Sequence, residues 1–146
     1  MTVYTSEQWI KAMNAHAANE LGHYEGVDLW VRRALGNQQP TTCPHVLIVG
    51  SADQGFGPWY ETMVRQYHPG NVYVTDYNPV VYPPDTFTTY VPPWLIRHLS
   101  VDIILSISTY EHSGLGRYGD AKDVDGDLKA MEEAHWLLKH NCSPGV

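Results

Sequence analysis

The sequence predicts an α/β fold with an open, mostly parallel sheet, and three runs of residues carry the prediction. Residues 45–50 (His-Val-Leu-Ile-Val-Gly), 71–76 (Asn-Val-Tyr-Val-Thr-Asp) and 101–108 (Val-Asp-Ile-Ile-Leu-Ser-Ile-Ser) are short, rich in β-branched side chains and largely apolar. Strands buried on both faces of a parallel sheet read this way, because helices cover both sides. No internal repeat breaks the alternation of strand and helix.

Composition bounds the function. The chain has 146 residues, 43% of them hydrophobic, which suits one domain with one core. Sixteen Asp and Glu against nine Lys and Arg leave a net charge of -7, so neither nucleic acid nor an anionic membrane is an expected partner. No apolar run approaches the ~18 residues of a membrane helix, and residues 1–11 lack the blocks of a secretory signal. A cytoplasmic location is therefore expected. Cys43 and Cys142 fit no disulfide framework and read as free thiols.

Residues 1–44 read as a helical lead and 45–146 as the α/β part of what is a single domain overall. A helix is expected over 5–21, where Thr5 or Ser6 caps the first turn, Gln8 stands three after Thr5, and Trp9, Met13, Ala17 and Leu21 share a face. A second is expected over 27–35, between Gly26 and Gly36, with a loop over 37–44. After the first strand Pro58 opens a helix with Met63, Val64 and Tyr67 on its apolar face, and His68-Pro69-Gly70 stops it. Five prolines from Pro79 to Pro93 leave room for a short strand over 86–91 and a helical turn over 93–99. A glycine-rich loop follows over 113–119. Asp125 or Asp127 then caps a helix in which Leu128, Met131, His135 and Leu138 repeat at three and four residues.

Open α/β sheets bind ligands at the carboxyl ends of their strands, so the chemistry is expected in the loops after Gly50, Asp76 and Ser108. The run 50–57 (Gly-Ser-Ala-Asp-Gln-Gly-Phe-Gly) can bring backbone amides up to a ligand at a helix start, or simply form a tight turn. Gly50, Gly55 and Gly57 are five and two apart, which is not the G-x-G-x-x-G of a dinucleotide cradle. Asp76 stands twenty-six residues after Gly50 and either accepts hydrogen bonds from both hydroxyls of a ribose or caps the turn Tyr77-Asn78-Pro79. Glu111 and His112 leave the end of a strand, and His112 is either a proton-transfer group or a structural hydrogen-bonding residue. Arg117 can orient an anionic group or pair with Glu111 or Asp120. Trp59 and Trp94, beside prolines, are candidates for pocket walls.

No metal is expected. Asp123, Asp125 and Asp127 alternate like a calcium loop, yet its sixth position is Leu128 and its twelfth Ala134, where Gly and Glu are required. His135, His140 and Cys142 match no zinc spacing, and His135 falls on the expected apolar face.

The strand ending at Gly50, the acidic end at Asp76, the strand opening with Asp102 and Leu137-Leu138-Lys139 before Pro144-Gly145 resemble class I S-adenosylmethionine-dependent methyltransferases. More closely, Gly50-Ser51 with Pro58-Trp59, Asp76-Tyr77-Asn78, and the block Glu111-His112-Ser113-Gly114-Leu115-Gly116-Arg117-Tyr118-Gly119-Asp120 followed by Gly126-Asp127 resemble the DUF268 family of methyltransferase-like proteins. The resemblance spans roughly residues 46–145. It implies a Rossmann-like fold that binds S-adenosylmethionine or its demethylated product through Gly50, Ser51, Gly55, Asp76, Tyr77 and Ser108. His112 and Glu111 would then serve an acceptor held by Arg117, Tyr118 and Asp120, the acceptor being small or sugar-like. It also implies a sheet that stops short of its usual seven strands, leaving 101–108 as an edge to be covered by a second copy, a partner or the lead helices. The competing expectation is a catalytically silent domain that uses this edge for interaction or oligomerisation.

Overall fold

The computed structural model describes residues 1–22, 24–37, 44–50, 56–117 and 119–141, the side chains of 139–141 excepted. Ser51, Gly55, Tyr118, Cys43, Cys142, most of the expected loop 37–44 and the segment 142–146 lie outside the described residues.

The first elements are β1 (Thr2–Val3), α1 (Ser6–Ala17) and α2 (Glu25–Gly36), followed by β2 (Val46–Val49), α3 (Trp59–Arg65) and β3 (Val72–Thr75). Short strands β4 (Val80–Val81) and β5 (Thr88–Tyr90) lead to a 3-10 turn at Pro93–His98 and to β6 (Ile103–Ser106). A second 3-10 turn, Tyr110–His112, and α4 (Gly126–Asn141) complete the chain. Thr5 caps α1 as expected: its hydroxyl accepts from the Gln8 N–H at 3.2 Å, and the Gln8 side chain accepts from the Thr5 N–H at 2.8 Å.

The main sheet is parallel throughout, in the order β5-β3-β2-β6. Val49 stands level with Thr75 on one side and with Ser106 on the other, so three strands end at one height. Alternate residues of β2 and β3 face opposite ways. Val46, Ile48, Val72 and Val74 pack with Val31 and Leu35 of α2 and Trp59, Tyr60, Met63 and Val64 of α3. Leu47 packs with Val91, Ile96, Val101 and Leu137 on the other face. The lead helices thus share a core with the sheet.

Four expectations are corrected. α1 ends at Ala17, not at 21, and buries Trp9, Ala12 and His16 rather than the stripe through Met13 and Leu21, because His16 bonds to the α3 backbone. A parallel pair absent from the sequence reading, β1 with β4, ties the N-terminus beside the proline-rich stretch. β6 is half-buried along its length rather than buried on both faces, and, among the described residues, it pairs only with β2, which makes it the edge that the resemblance implied.

The largest correction concerns α4. The stripe Leu128, Met131 and His135 is exposed, with Leu128 and Met131 each 56% accessible, and only Leu138 is half-buried. Leu137 is buried instead, with Ala130, Glu133 and Ala134 on its side of the helix. Backbone contact sets this choice. A Cβ on Gly126 would fall 2.6 Å from the Gly114 Cα and 2.7 Å from the Ser113 carbonyl oxygen, so the start of α4 lies directly on the preceding loop. Among the described residues no helix is long and apolar enough to cross a membrane.

Urea unfolding separates the two faces of α4. Leu137→Ala is expected to cost about 2–5 kcal/mol, as deletion of a buried leucine does. Met131→Ala is expected to change stability by no more than about 0.5 kcal/mol, as exposed substitutions do.

Candidate functional site

A crevice of about 390 Å³ opens at the carboxyl ends of β2, β3 and β6. Its volume falls within the roughly 300–1,000 Å³ of small-molecule sites. The position follows from topology: β3 and β5 lie to one side of β2, and the chain then returns to place β6 on the other. Loops diverge at such a reversal and leave a gap above the sheet. Leu47, Val49, Ile104 and Ile107 give apolar lining, Phe56, Trp59 and Tyr60 stand at the start of α3, and Ala130, Glu133, Ala134 and Leu137 come from α4.

Gly50 closes β2. Its φ is +72°, its N–H donates to the Thr75 carbonyl at 2.8 Å, and a Cβ there would fall 2.4 Å from Thr109 Oγ1. The Thr109 hydroxyl in turn donates to the Val49 carbonyl at 3.0 Å. Glycine is therefore needed at Gly50 to seat Thr109 against the strand end, in addition to any ligand it faces.

Gly50, Asp76, Tyr77, Ser108 and His112 all line this one crevice. Asp76 Oδ1 accepts from the Asn78 N–H at 2.9 Å, which is the turn-capping geometry read from the sequence. A carboxylate accepts through both oxygens, and among the described residues Asp76 Oδ2 accepts no hydrogen bond. Ser108 holds a left-handed backbone at φ +50° beside the crevice, a conformation costly for a residue other than glycine.

The other expected residues are placed elsewhere. Glu111 is exposed and lies outside the crevice lining, because the Ser108 hydroxyl donates to its Oε1 at 2.5 Å. That bond, with the Glu111 N–H and the neighbouring His112, holds its carboxyl below the usual carboxylate range and makes it a weak base. Arg117 is exposed and lines neither the crevice nor the hollow beside it. Asp120 Oδ2 accepts from the N–H groups of Gly114 at 2.7 Å and Gly116 at 3.3 Å, so it shapes its own loop.

Three residues missed in the sequence belong to the site. Thr75 is buried in the crevice lining, and its hydroxyl has no hydrogen-bond partner among the described residues. Its place before Asp76 at the end of a strand was the available signal. Thr109 and Glu133 carried no pattern, because their roles depend on Gly50 and on which face of α4 turns inward.

The electrostatics are acidic. Asp76 and Glu133 line the crevice, and its described lining contains no Lys or Arg. Partial burial, with Asp120, Glu133 and Asp76 nearby, raises the Tyr77 hydroxyl pKa above its usual value. Burial, with Glu133 nearby, does the same for Tyr110.

Behind the crevice wall, polar groups fix Trp59. Its indole N–H donates to Asp28 Oδ2 at 2.9 Å, and the Gly22 N–H donates to the same oxygen at 2.7 Å. Arg32 Nη2 lies 3.1 Å from His16 Nδ1, and His16 Nε2 lies 2.8 Å from the Trp59 carbonyl. Since arginine only donates and a carbonyl only accepts, His16 is the neutral Nε2–H tautomer. Burial lowers its pKa first and Arg32 adds to that, while the Trp59 carbonyl and Asp28 work the other way.

These features define an α/β chain whose ligand-sized, acidic crevice sits at the reversal point of a parallel sheet. Compared with protein-family models, with curated proteins and with solved structures, the chain gives no significant match in any of the three. Among the described residues, no group of three or more His, Cys, Asp or Glu could hold a metal ion.

The His16 network gives a pH dependence of known sign. Between the lowered pKa and the ordinary value of about 6.5 the unfolded chain binds more protons, so stability falls as pH drops through that window. Thermal melts at about pH 7 and pH 5.5 should show the loss in the native chain and a flatter response in His16→Gln.

Proposed function

We propose that the crevice binds S-adenosylmethionine or S-adenosylhomocysteine in a Rossmann-like, methyltransferase-type domain, and that the chain methylates a small or sugar-like acceptor. One observation carries the reading: the crevice presents Asp76 and Glu133, the latter paired with Arg97 from outside the lining, and its described lining contains no Lys or Arg. A sulfonium cation needs no cationic partner there and gains from nearby carboxylates.

The residues present fit the group. Asp76, at the end of the second core strand, can accept from ribose hydroxyls, and the unpartnered Thr75 hydroxyl offers a donor in the same lining. Apolar walls from Phe56, Ile96 and Ile107 suit a flat heterocycle. When bound, S-adenosylmethionine supplies an activated methyl group. The chain then holds the acceptor in line, and an imidazole nitrogen of His112 takes the proton of its hydroxyl. The resemblance to the DUF268 family on the 111–120 block supports the same reading.

A second reading has its own observation. The edge of β6, unpaired among the described residues, and the exposed Leu128 and Met131 of α4 are the surfaces a silent interaction or oligomerisation module would use.

Calorimetry separates the two. S-adenosylmethionine and S-adenosylhomocysteine are expected to give heat and NAD none, and Asp76→Ala to weaken binding about ten- to a hundredfold, the loss of hydrogen bonds to a charged group. Unchanged affinity removes Asp76 from the site. No heat with any of the three, together with a dimer or larger species by light scattering, favours the interaction module.

A further inference from the structure

Beside the crevice lies a second hollow of about 580 Å³, between α4 and the 113–126 loop. The two share a wall made by Tyr77, Ser113, Ala130 and Glu133, so a molecule in the hollow abuts one in the crevice. We infer that this hollow is a binding site for a neutral, polyhydroxylated, sugar-like molecule, and that Trp136, Arg97 and Lys129 recognise it. Its role as the acceptor site rests on the methyltransferase reading above, while the binding itself does not.

The lining mixes donors and acceptors instead of presenting one sign. Arg97, Lys129 and the Ser113 hydroxyl donate, and the carboxylates of Asp120, Asp123, Glu132 and Glu133 accept. The cations are already matched: Arg97 Nε lies 3.1 Å from Glu133 Oε1, and Lys129 Nζ 2.5 Å from Asp123 Oδ2. The Arg97 and Lys129 side chains are 69% and 65% exposed, and ion pairs so open to water are weakly held. They can turn to ligand hydroxyls at small cost. An anionic ligand would meet four carboxylates. A neutral polyol avoids that penalty and uses donors and acceptors together.

The aromatic component completes the match. Trp136 is 41% exposed in the hollow, and the Arg97 guanidinium lies 5.9 Å from its ring centroid. The guanidinium lies over that ring, so as Arg97 turns to ligand hydroxyls the indole offers an apolar face to the C–H side of a sugar ring. Of the residues the sequence suggested for an acceptor, only Asp120 lines this hollow among the described residues. Arg97 lies on the Pro93–His98 turn and Lys129 and Trp136 lie on α4, all outside that block.

Saturation-transfer NMR on the full chain tests the inference, with methyl α-glucoside, methylamine and acetate as probes, with and without saturating S-adenosylhomocysteine. The glucoside alone is expected to give transfer, reduced about fivefold in both Trp136→Ala and Lys129→Ala. Calorimetric affinity for S-adenosylhomocysteine is expected to stay within about twofold in both variants, since neither residue lines the crevice. The surface position of Lys129 keeps the test valid if Trp136→Ala fails to fold. No glucoside transfer, transfer unchanged in Lys129→Ala, or stronger transfer to methylamine or acetate overturns the inference. Glucoside transfer that persists while S-adenosylhomocysteine gives no heat upholds the hollow and overturns the methyltransferase reading.

Discussion

Strand β2 is hydrogen-bonded on both sides, and the position of every group around the crevice follows from that pairing. Because Val49 is level with both Thr75 and Ser106, the chain leaves the sheet at Gly50, Asp76 and Ile107 at one height. Leu47 and Val46 are fully buried, on opposite faces of the sheet. Thr109 locks the arrangement, filling the space that the absent Gly50 side chain leaves and bonding to the Val49 carbonyl.

The contact of Gly126 with Gly114 does for the helical side what β2 does for the sheet. Two backbones meet where neither residue has a side chain, and this close approach is incompatible with any larger residue at Gly126. The helix that starts there turns Ala130, Glu133, Ala134 and Leu137 inward and leaves Leu128 and Met131 in water. Small residues at two of these positions allow the helix to lie close to β6, and Glu133 is carried to the wall between crevice and hollow. An apolar side chain on the solvent side costs little, whereas a misplaced backbone contact at the helix start would open the core.

The lead helices connect to the same site through polar groups. Asp28, fully buried, holds the Trp59 indole, and His16 holds the Trp59 carbonyl, so both α1 and α2 bear on a residue of the crevice wall. Directional hydrogen bonds of this kind fix one packing where apolar contact alone would allow several. The lead therefore acts as part of the site's framework rather than as an appendage to the α/β core.

The main-sheet strands β2, β3, β5 and β6, the helices between them and their parallel arrangement were legible in the chain, because β-branched runs, prolines and glycines act locally, whereas the short pair β1 and β4 was not. So was the gathering of Gly50, Asp76, Tyr77, Ser108 and His112, since each follows the end of a recognisable strand and parallel strands end together. The inward face of α4 was not legible: two stripes at helical spacing compete there, and the bulkier one is the wrong choice. Glu111 and Arg117 lie outside the crevice lining, because the Ser108 hydroxyl holds one side chain and the other, on the loop that follows, is exposed. Periodicity reports which residues share a face, but which face is buried depends on contacts such as Gly114 with Gly126, formed by parts of the chain whose spacing carries no sign of their meeting.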